Sequence, residues 1–467
     1  MLTYDVQIWG IRKRANRAAA YQLRWRVGIQ PFSKSYKIKA QADGRRSELL
    51  TALRNREQFD TDTGLPASEA QAAQSPTWYA HARVYAAMKW PTASAKHRAS
   101  IADSLATVTV RLVKDDRGAP AAKVLRAALY SWVFRFVVNG EGELKPRIDV
   151  EEAPADVVEA LEWIARKSVN ITDLNTPSVV RSALDALALR LDGKPAADNT
   201  VNRKLTVFSN SLRYAVEREL LAVLPLGKVD WTAPETDDEI DFRFVPGPQL
   251  AKKLINAVGS QGERGPHLKA FFGCLYYAAT RPAEATNLKA TDFVLPEEGW
   301  GELLLSSSTP RVGSGWTDSG ESYDSRGLKK RARKATRAVP IPPVLVRLVR
   351  LVREHIKQFG AAEDGRLFRA ARGGHLLSKE YGEVWKAARR SVLTESETAS
   401  PLADVPYSLR HAGVSLWLES GVSPAEVARR AGHSIAVLFR FYAKAIHRNQ
   451  QRSNQQIEAA LDAADDE

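Results

Sequence analysis

Residues 406–422 read PYSLRHAGVSLWLESGV, followed by ARRAGHS at 428–434 and LFRFYAKAI at 438–446. The first stretch has the apolar spacing of a buried helix with Arg410 and His411 set into it. The second carries His433. The third is helical again and brings Tyr442 nine residues after His433. Upstream, YAATRPAEATNLKATDF at 277–293 places Arg281 after a run of small residues and at the start of a helix, with Glu284 one turn on. Taken singly, these features are ordinary. Arg-x-x-Glu pairs decorate many exposed helices, a lone tyrosine is more often a core aromatic, and a lone histidine more often a satisfied structural residue. Their order and spacing together set this chain apart.

Working outward, the chain has 467 residues, too many for one ordinary core, so two or three domains are expected. A formal net charge of +14 favours a polyanionic partner. No apolar run is long enough to span a bilayer, and MLTYDVQIWG lacks the pattern of a signal peptide. Nucleic acid is therefore the expected partner, and the cytoplasm, in association with the nucleoid, the expected location. The one cysteine, Cys274, sits in AFFGCLYYAAT and reads as a core thiol. The eight histidines form no Cys/His cluster at zinc spacing. Without a phosphate-cradling glycine loop or a carboxylate cluster, the sequence suggests neither cofactor nor metal.

The expected fold class is mainly α with small β-sheets, in several domains. Residues 3–10, 20–28 and 31–38 read as short strands and 40–58 as a helix. Over residues 1–60, thirteen basic against five acidic residues give +8, more than half the net charge of the whole chain. A sheet bearing Arg12, Lys13, Arg14, Arg17, Arg24, Arg26, Lys34, Lys37 and Lys39 beside Trp25 and Tyr36 would suit a DNA groove; a merely solvated basic face is the plainer alternative. Residues 61–76 are small and polar and read as a linker. Residues 77–235, from Trp78 onward, carry helical signals including LRAALYSWVFRFVV, with few strand signals. The acidic DWTAPETDDEIDF breaks the pattern, and 236–447 form the next expected domain. There GWGELLLSSSTP and ATRAVPIPP read as strands flanking a long loop or hairpin. Residues 448–467 are a tail whose Ile457, Ala460 and Leu461 would share one side of a short helix.

The segments around Arg281, Arg410, His433 and Tyr442 resemble the signature of the tyrosine recombinases, or phage-type integrases. EVARRAGHS and YAKAI are similar to segments in integrases of actinobacterial phages and integrative plasmids. The resemblance implies that Tyr442 attacks a DNA phosphodiester to form a covalent 3′-phosphotyrosyl link, that Arg281 and Arg410 are the two catalytic arginines, that His433 is the second histidine, and that Glu284 holds Arg281. Guanidiniums suit this chemistry because their forked N–H groups brace the charge that builds on non-bridging phosphate oxygens. The energy of the broken phosphodiester stays in the tyrosyl link, so religation needs no nucleotide. The family's general-acid lysine lies on a hairpin, here GLKKRARKATRAVPIPP, which favours Lys329, with Lys330 close behind and Lys334 further off.

One departure stands out. The usual His-x-x-Arg reads Tyr407-Ser408-Leu409-Arg410, so a phenol, which does not titrate near neutrality, replaces an imidazole. His411 is expected to be no substitute, because it points about 100° from Arg410 around the helix, and it reads as packing or hydrogen bonding within the core. The resemblance further implies that 1–60 is an arm-type DNA-binding domain, 77–235 a core-type DNA-binding domain and 236–447 the catalytic domain. It also implies duplex attachment sites, a homotetramer on paired sites with the tail docked on a neighbour, and an excisionase or host DNA-bending protein as accessory partner. Two other readings share parts of the pattern. One is a type IB topoisomerase-like nicking-closing enzyme; the other is a DNA-binding regulator that has kept the fold and lost the reaction.

Overall fold

A computed structural model describes residues 1–462 apart from 16–17, 236–239, 325, 329–335, 448–453, 456 and 459–460. The chain divides into two compact units, Met1–Glu235 and Thr236–Glu467.

The first unit opens on a small antiparallel sheet. Its central strand Tyr21–Val27 pairs with Gln30–Tyr36 along one edge, and with Val6–Ile8 and Arg12–Lys13 along the other. Side chains alternate across a strand, and here Leu23, Trp25 and Val27 are buried while Arg24 is exposed. The buried row packs with Leu49 and Ala52 of the helix Lys39–Arg54 and with Phe59. The register divides the basic residues of the strands between two faces. Arg12 lies opposite Gln22 and so shares the outward face with Arg24 and Arg26, whereas Lys13 lies opposite Tyr21 and Lys34 opposite Leu23, on the other face. Arg14, Lys37 and Lys39 are exposed outside the strands, and Arg17 lies outside the described residues.

Residues 61–76, expected to be a linker, contain the helix Ala67–Gln74. The Trp25 indole N–H donates to the Gly64 carbonyl at 2.6 Å, and Arg45 forks onto Glu69 with both contacts at 2.7 Å. These tertiary contacts order a segment whose composition alone reads as a connector. Beyond it come the helices Trp78–Lys89, Ala95–Thr109, Ala122–Ala128, Ala155–Lys167, Pro177–Leu187 and Asp198–Glu217. Trp78 is fully buried, donates to Thr109 Oγ1 at 2.9 Å and meets Phe208 edge to face. LRAALYSWVFRFVV, expected to be helical, stops short. After a wide turn at Leu129–Val133, Phe136–Val138 pairs with Leu144–Pro146 as a hairpin. Asn139 closes that hairpin by accepting from the amides of Glu141 and Glu143, the local bond that favours a turn over continued helix.

The second unit is mainly helical around one small sheet. Gly301–Leu305 lies between Arg337–Ile341 and Phe293–Val294, all antiparallel, and buries Leu303, Leu305, Val339 and Ile341. Helices Pro248–Val258, Arg264–Tyr277, Pro343–Phe359, Ser378–Val392, Ser408–Glu419, Pro424–Ala431 and Ile435–His447 complete it. Their core includes Phe271, Phe272 and Trp385, whose indole N–H donates to the Ala403 carbonyl at 2.8 Å. Cys274 is wholly buried in this core, and burial pushes its thiol well above the ordinary range, as suits a packing residue. Within the described part of the segment between the two main strands, Ser307–Ser308 pairs with Arg326–Gly327, and Arg311 bridges to Tyr323, forming a hairpin. In the tail, 454–455, 457–458 and 461–462 are helical with Ile457 and Leu461 exposed, and Ala460 lies outside the described residues.

The helix Ser408–Glu419 crosses Arg264–Tyr277 so closely that a Cβ built on Gly413 would overlap the Tyr276 carbonyl oxygen. Backbone cannot rotate out of the way, so Gly413→Ala should destabilise the protein by about 1–3 kcal/mol, the usual cost of overpacking. Chemical denaturation of the two proteins measures it.

Candidate active site

The turn between the helix Arg264–Tyr277 and the short helix Pro282–Ala285 does much of the positioning. Ala279 sits at φ +45°, a left-handed conformation that is costly for a residue with a Cβ, and the chain then reverses so that Arg281 begins the next helix. Pro282 pre-sets the first helical turn. Glu284, one turn on, accepts the Arg281 backbone N–H at 2.8 Å and its guanidinium Nη1 at 2.8 Å. Nη2 of the same guanidinium donates to the Gly432 carbonyl at 2.8 Å.

Glu284 is 1% exposed and holds a second arginine that the sequence did not single out. Arg337, at the start of the strand Arg337–Ile341, forks onto both carboxylate oxygens at 3.2 and 2.8 Å. Burial alone would raise the Glu284 carboxyl, but the charges and hydrogen bonds of Arg337 and the charge of Arg281 outweigh it and hold it at about 2. Gly432 seats this network from the other side. It ends the helix Pro424–Ala431 in the left-handed conformation at φ +66°, and a Cβ there would overlap the Arg337 guanidinium.

Arg410 is wholly buried near the start of Ser408–Glu419. It donates to the carbonyls of Ala279 and, at 2.6 Å, Ala431, while its Nη2 lies 2.8 Å from His433 Nε2. A guanidinium has only donors, so Nε2 accepts and the His433 proton sits on Nδ1, which is buried and has no partner in the described structure. Burial, then Arg410 and Arg281, press His433 down to about 3, so its ring is neutral. Arg281, Arg337 and Arg410 against the single carboxylate Glu284 leave two positive charges uncompensated in this cluster.

Tyr442 completes the group. It is 1% exposed and interrupts its own helix with φ −125° and ψ 20°. Its ring lies 6.0 Å from that of His433, and burial raises its hydroxyl above the ordinary range against the lowering effect of Arg410. Its hydroxyl meets His411: Nδ1 and Oη are 2.8 Å apart. His411 is thus hydrogen-bonded within the core, one of its two expected roles, and its partner is Tyr442. Tyr442 arrives on a different helix, on the side that faces position 407. Residues four apart share a helix face, and His411 lies one turn after Tyr407, the rings 5.0 Å apart and edge to face.

Tyr407 itself is half-buried and lines a cleft with Arg281, Thr309, Arg311, Tyr323 and His375. Tyr323, from the folded hairpin, stacks on His375 with centroids 3.8 Å apart. The structure thus brings together Arg281, Glu284, Arg410, His433 and Tyr442, with Tyr407 beside them, and adds Arg337 and His411. Lys329, Lys330 and Lys334 lie outside the described residues. Among the described residues no His, Cys, Asp or Glu cluster is arranged to hold a metal ion, and no helix is long and apolar enough to cross a membrane.

No family model and no curated protein matches the chain. Among solved structures it is similar to the Tn1549 transposon integrase in complex with transposon right end DNA, at 17% identity and a TM-score of 0.44 over 58% of this chain and 84% of that one. It is also similar to the XerH site-specific recombinase in a post-cleavage complex with a palindromic difH substrate, at 11% identity and 0.46 over 81% and 95%. A lambda integrase dimer bound to a COC′ core site gives 13% and 0.38 over 61% and 70%.

The Glu284 network makes a prediction about stability and pH. A carboxyl held at about 2 in the folded protein, below its unfolded value, contributes stability that is present above the ordinary carboxylate range and is lost as pH falls toward 2. Glu284→Gln leaves Arg281 and Arg337 without their counter-charge, so it should cost about 3–5 kcal/mol at neutral pH. Denaturation curves across pH should also show the variant without the part of the acid-induced loss that Glu284 contributes.

Proposed function

We propose that the chain is a tyrosine site-specific recombinase that cleaves and rejoins duplex DNA through a 3′-phosphotyrosyl bond to Tyr442. The observation that carries this reading is the convergence of a buried tyrosine, His433 and two arginines held in fixed forks by Glu284, Gly432, Ala279 and Ala431.

Attack of the Tyr442 oxygen on a phosphodiester passes through a five-coordinate phosphorus carrying close to two negative charges. The two uncompensated positive charges of the pocket match it. Guanidinium N–H groups of Arg281 and Arg410 brace the non-bridging oxygens. His433, its ring turned by Arg410, offers the Nδ1 proton as a further donor. Tyr407 adds a phenol hydroxyl at the cleft. Lys329, eight residues before Arg337 in the sequence, donates the proton to the leaving 5′-oxygen, with Lys330 as its alternate. Residues 1–60 and 77–235 bind arm and core sequences flanking the crossover, in a homotetramer on paired sites, with an excisionase or host DNA-bending protein as accessory partner. The protein works in the cytoplasm on the nucleoid.

The reaction is tested with a suicide substrate that loses its 5′-end after cleavage and so traps the adduct. Wild type should form a covalent protein–DNA adduct, whereas Tyr442→Phe should form none and bind the same DNA about as tightly. Equal adduct formation by both proteins would reject Tyr442 as nucleophile. Tight binding without any adduct in wild type would favour the regulator, and relaxation of plasmids lacking a target site the topoisomerase.

A further inference from the structure

We propose that His411 is the general base of this site, taking the Tyr442 proton as the phosphotyrosyl bond forms; the assignment rests on the recombinase reading above. The position before the second arginine that the resemblance would fill with an imidazole holds Tyr407, a phenol of the same kind as the nucleophile and no base toward it. The imidazole is one turn further along the same helix. His411 Nδ1 stands 2.8 Å from Tyr442 Oη, within the reach a general base requires. With the ring proton on Nε2, Nδ1 accepts the hydrogen bond that the phenol hydroxyl donates.

The groups facing the imidazole hold it in the state the step needs. Tyr407 and Arg410 lie on its own helix, Tyr442 comes from the helix Ile435–His447, and His433 from the turn before that helix. Burial first, and then the Arg410 charge, push His411 down to about 4, so it is neutral at working pH with its lone pair available. A base this weak does not ionise the phenol in advance. The proton moves while the Oη–P bond forms, as the falling affinity of the oxygen for its proton makes transfer downhill.

The balance is closed. The Tyr442 oxygen forms the bond to phosphorus, its proton passes to Nδ1 to give an imidazolium, and the P–O5′ bond breaks with its electron pair leaving on the 5′-oxygen. That oxygen takes a proton from Lys329. On religation the steps reverse and the imidazolium returns its proton to Tyr442. The imidazolium is disfavoured beside Arg410 alone, but the charge building on the phosphate offsets this, so the base gains strength as the reaction needs it.

The test compares the rate of adduct formation on the suicide substrate for wild type, His411→Ala and His411→Gln across pH, with DNA binding measured for each to show that the fold is kept. The wild-type rate should be nearly level from about pH 6 to 8, above the titration of a depressed imidazole. Both variants should be slower by about 100-fold or more at neutral pH, a typical contribution of a general base, and should speed up by about tenfold per pH unit as hydroxide replaces it. Added imidazole should restore part of the rate in His411→Ala. Variants that match wild type, or that are slowed equally at every pH without rescue, would overturn the base and leave His411 a packing residue. Absence of an adduct from wild type itself would remove the recombinase reading, and the base with it.

Discussion

The buried guanidinium of Arg410 is the interaction on which the rest of the site depends. It reaches the carbonyl of Ala279 in one turn, the carbonyl of Ala431 at the end of another helix, and His433 just beyond it. These groups come from segments more than a hundred residues apart in the chain. A lysine, with one nitrogen at the end of a flexible stem, could not hold three such acceptors in one plane. Burying a charge so completely is costly unless it is satisfied, and the left-handed backbone at Ala279 aims one of the carbonyls that satisfy it.

Around that centre the pocket is built to stay positive. Glu284 neutralises one arginine and positions two, and its carboxyl stays ionised because Arg337 and Arg281 flank it. Gly432 lets the carbonyl that holds Arg281 approach without a side chain meeting Arg337. Histidines in such surroundings stay neutral: both His411 and His433 are pressed down by burial and by Arg410. The cluster therefore supplies fixed positive charge from arginines and unprotonated imidazole from histidines.

The mainly helical class was legible from apolar spacing, whereas the grouping of Arg281, Glu284, Arg410, His433 and Tyr442 was legible only through the resemblance, since each of these features taken singly is ordinary. Arg337 was not, since it stands in a basic run 53 residues from its partner with no periodic relation to Glu284. The partner of His411 was not legible either, because a helical wheel gives directions on one helix and is silent about which neighbour arrives there. The same limit explains residues 61–76 and 136–138. Small polar residues read as a linker until Trp25 and Arg45 fasten them, and FVV extends a helical run until Asn139 turns the chain.

The central claim is a chemical bond, and mass spectrometry of the trapped adduct tests it directly. After protease and nuclease digestion, a nucleotide should remain attached through its 3′-phosphate to the peptide containing Tyr442, and the released strand should carry a 5′-hydroxyl. Attachment at Tyr407, attachment through a 5′-phosphate, or cleavage without any tyrosyl link would contradict the account.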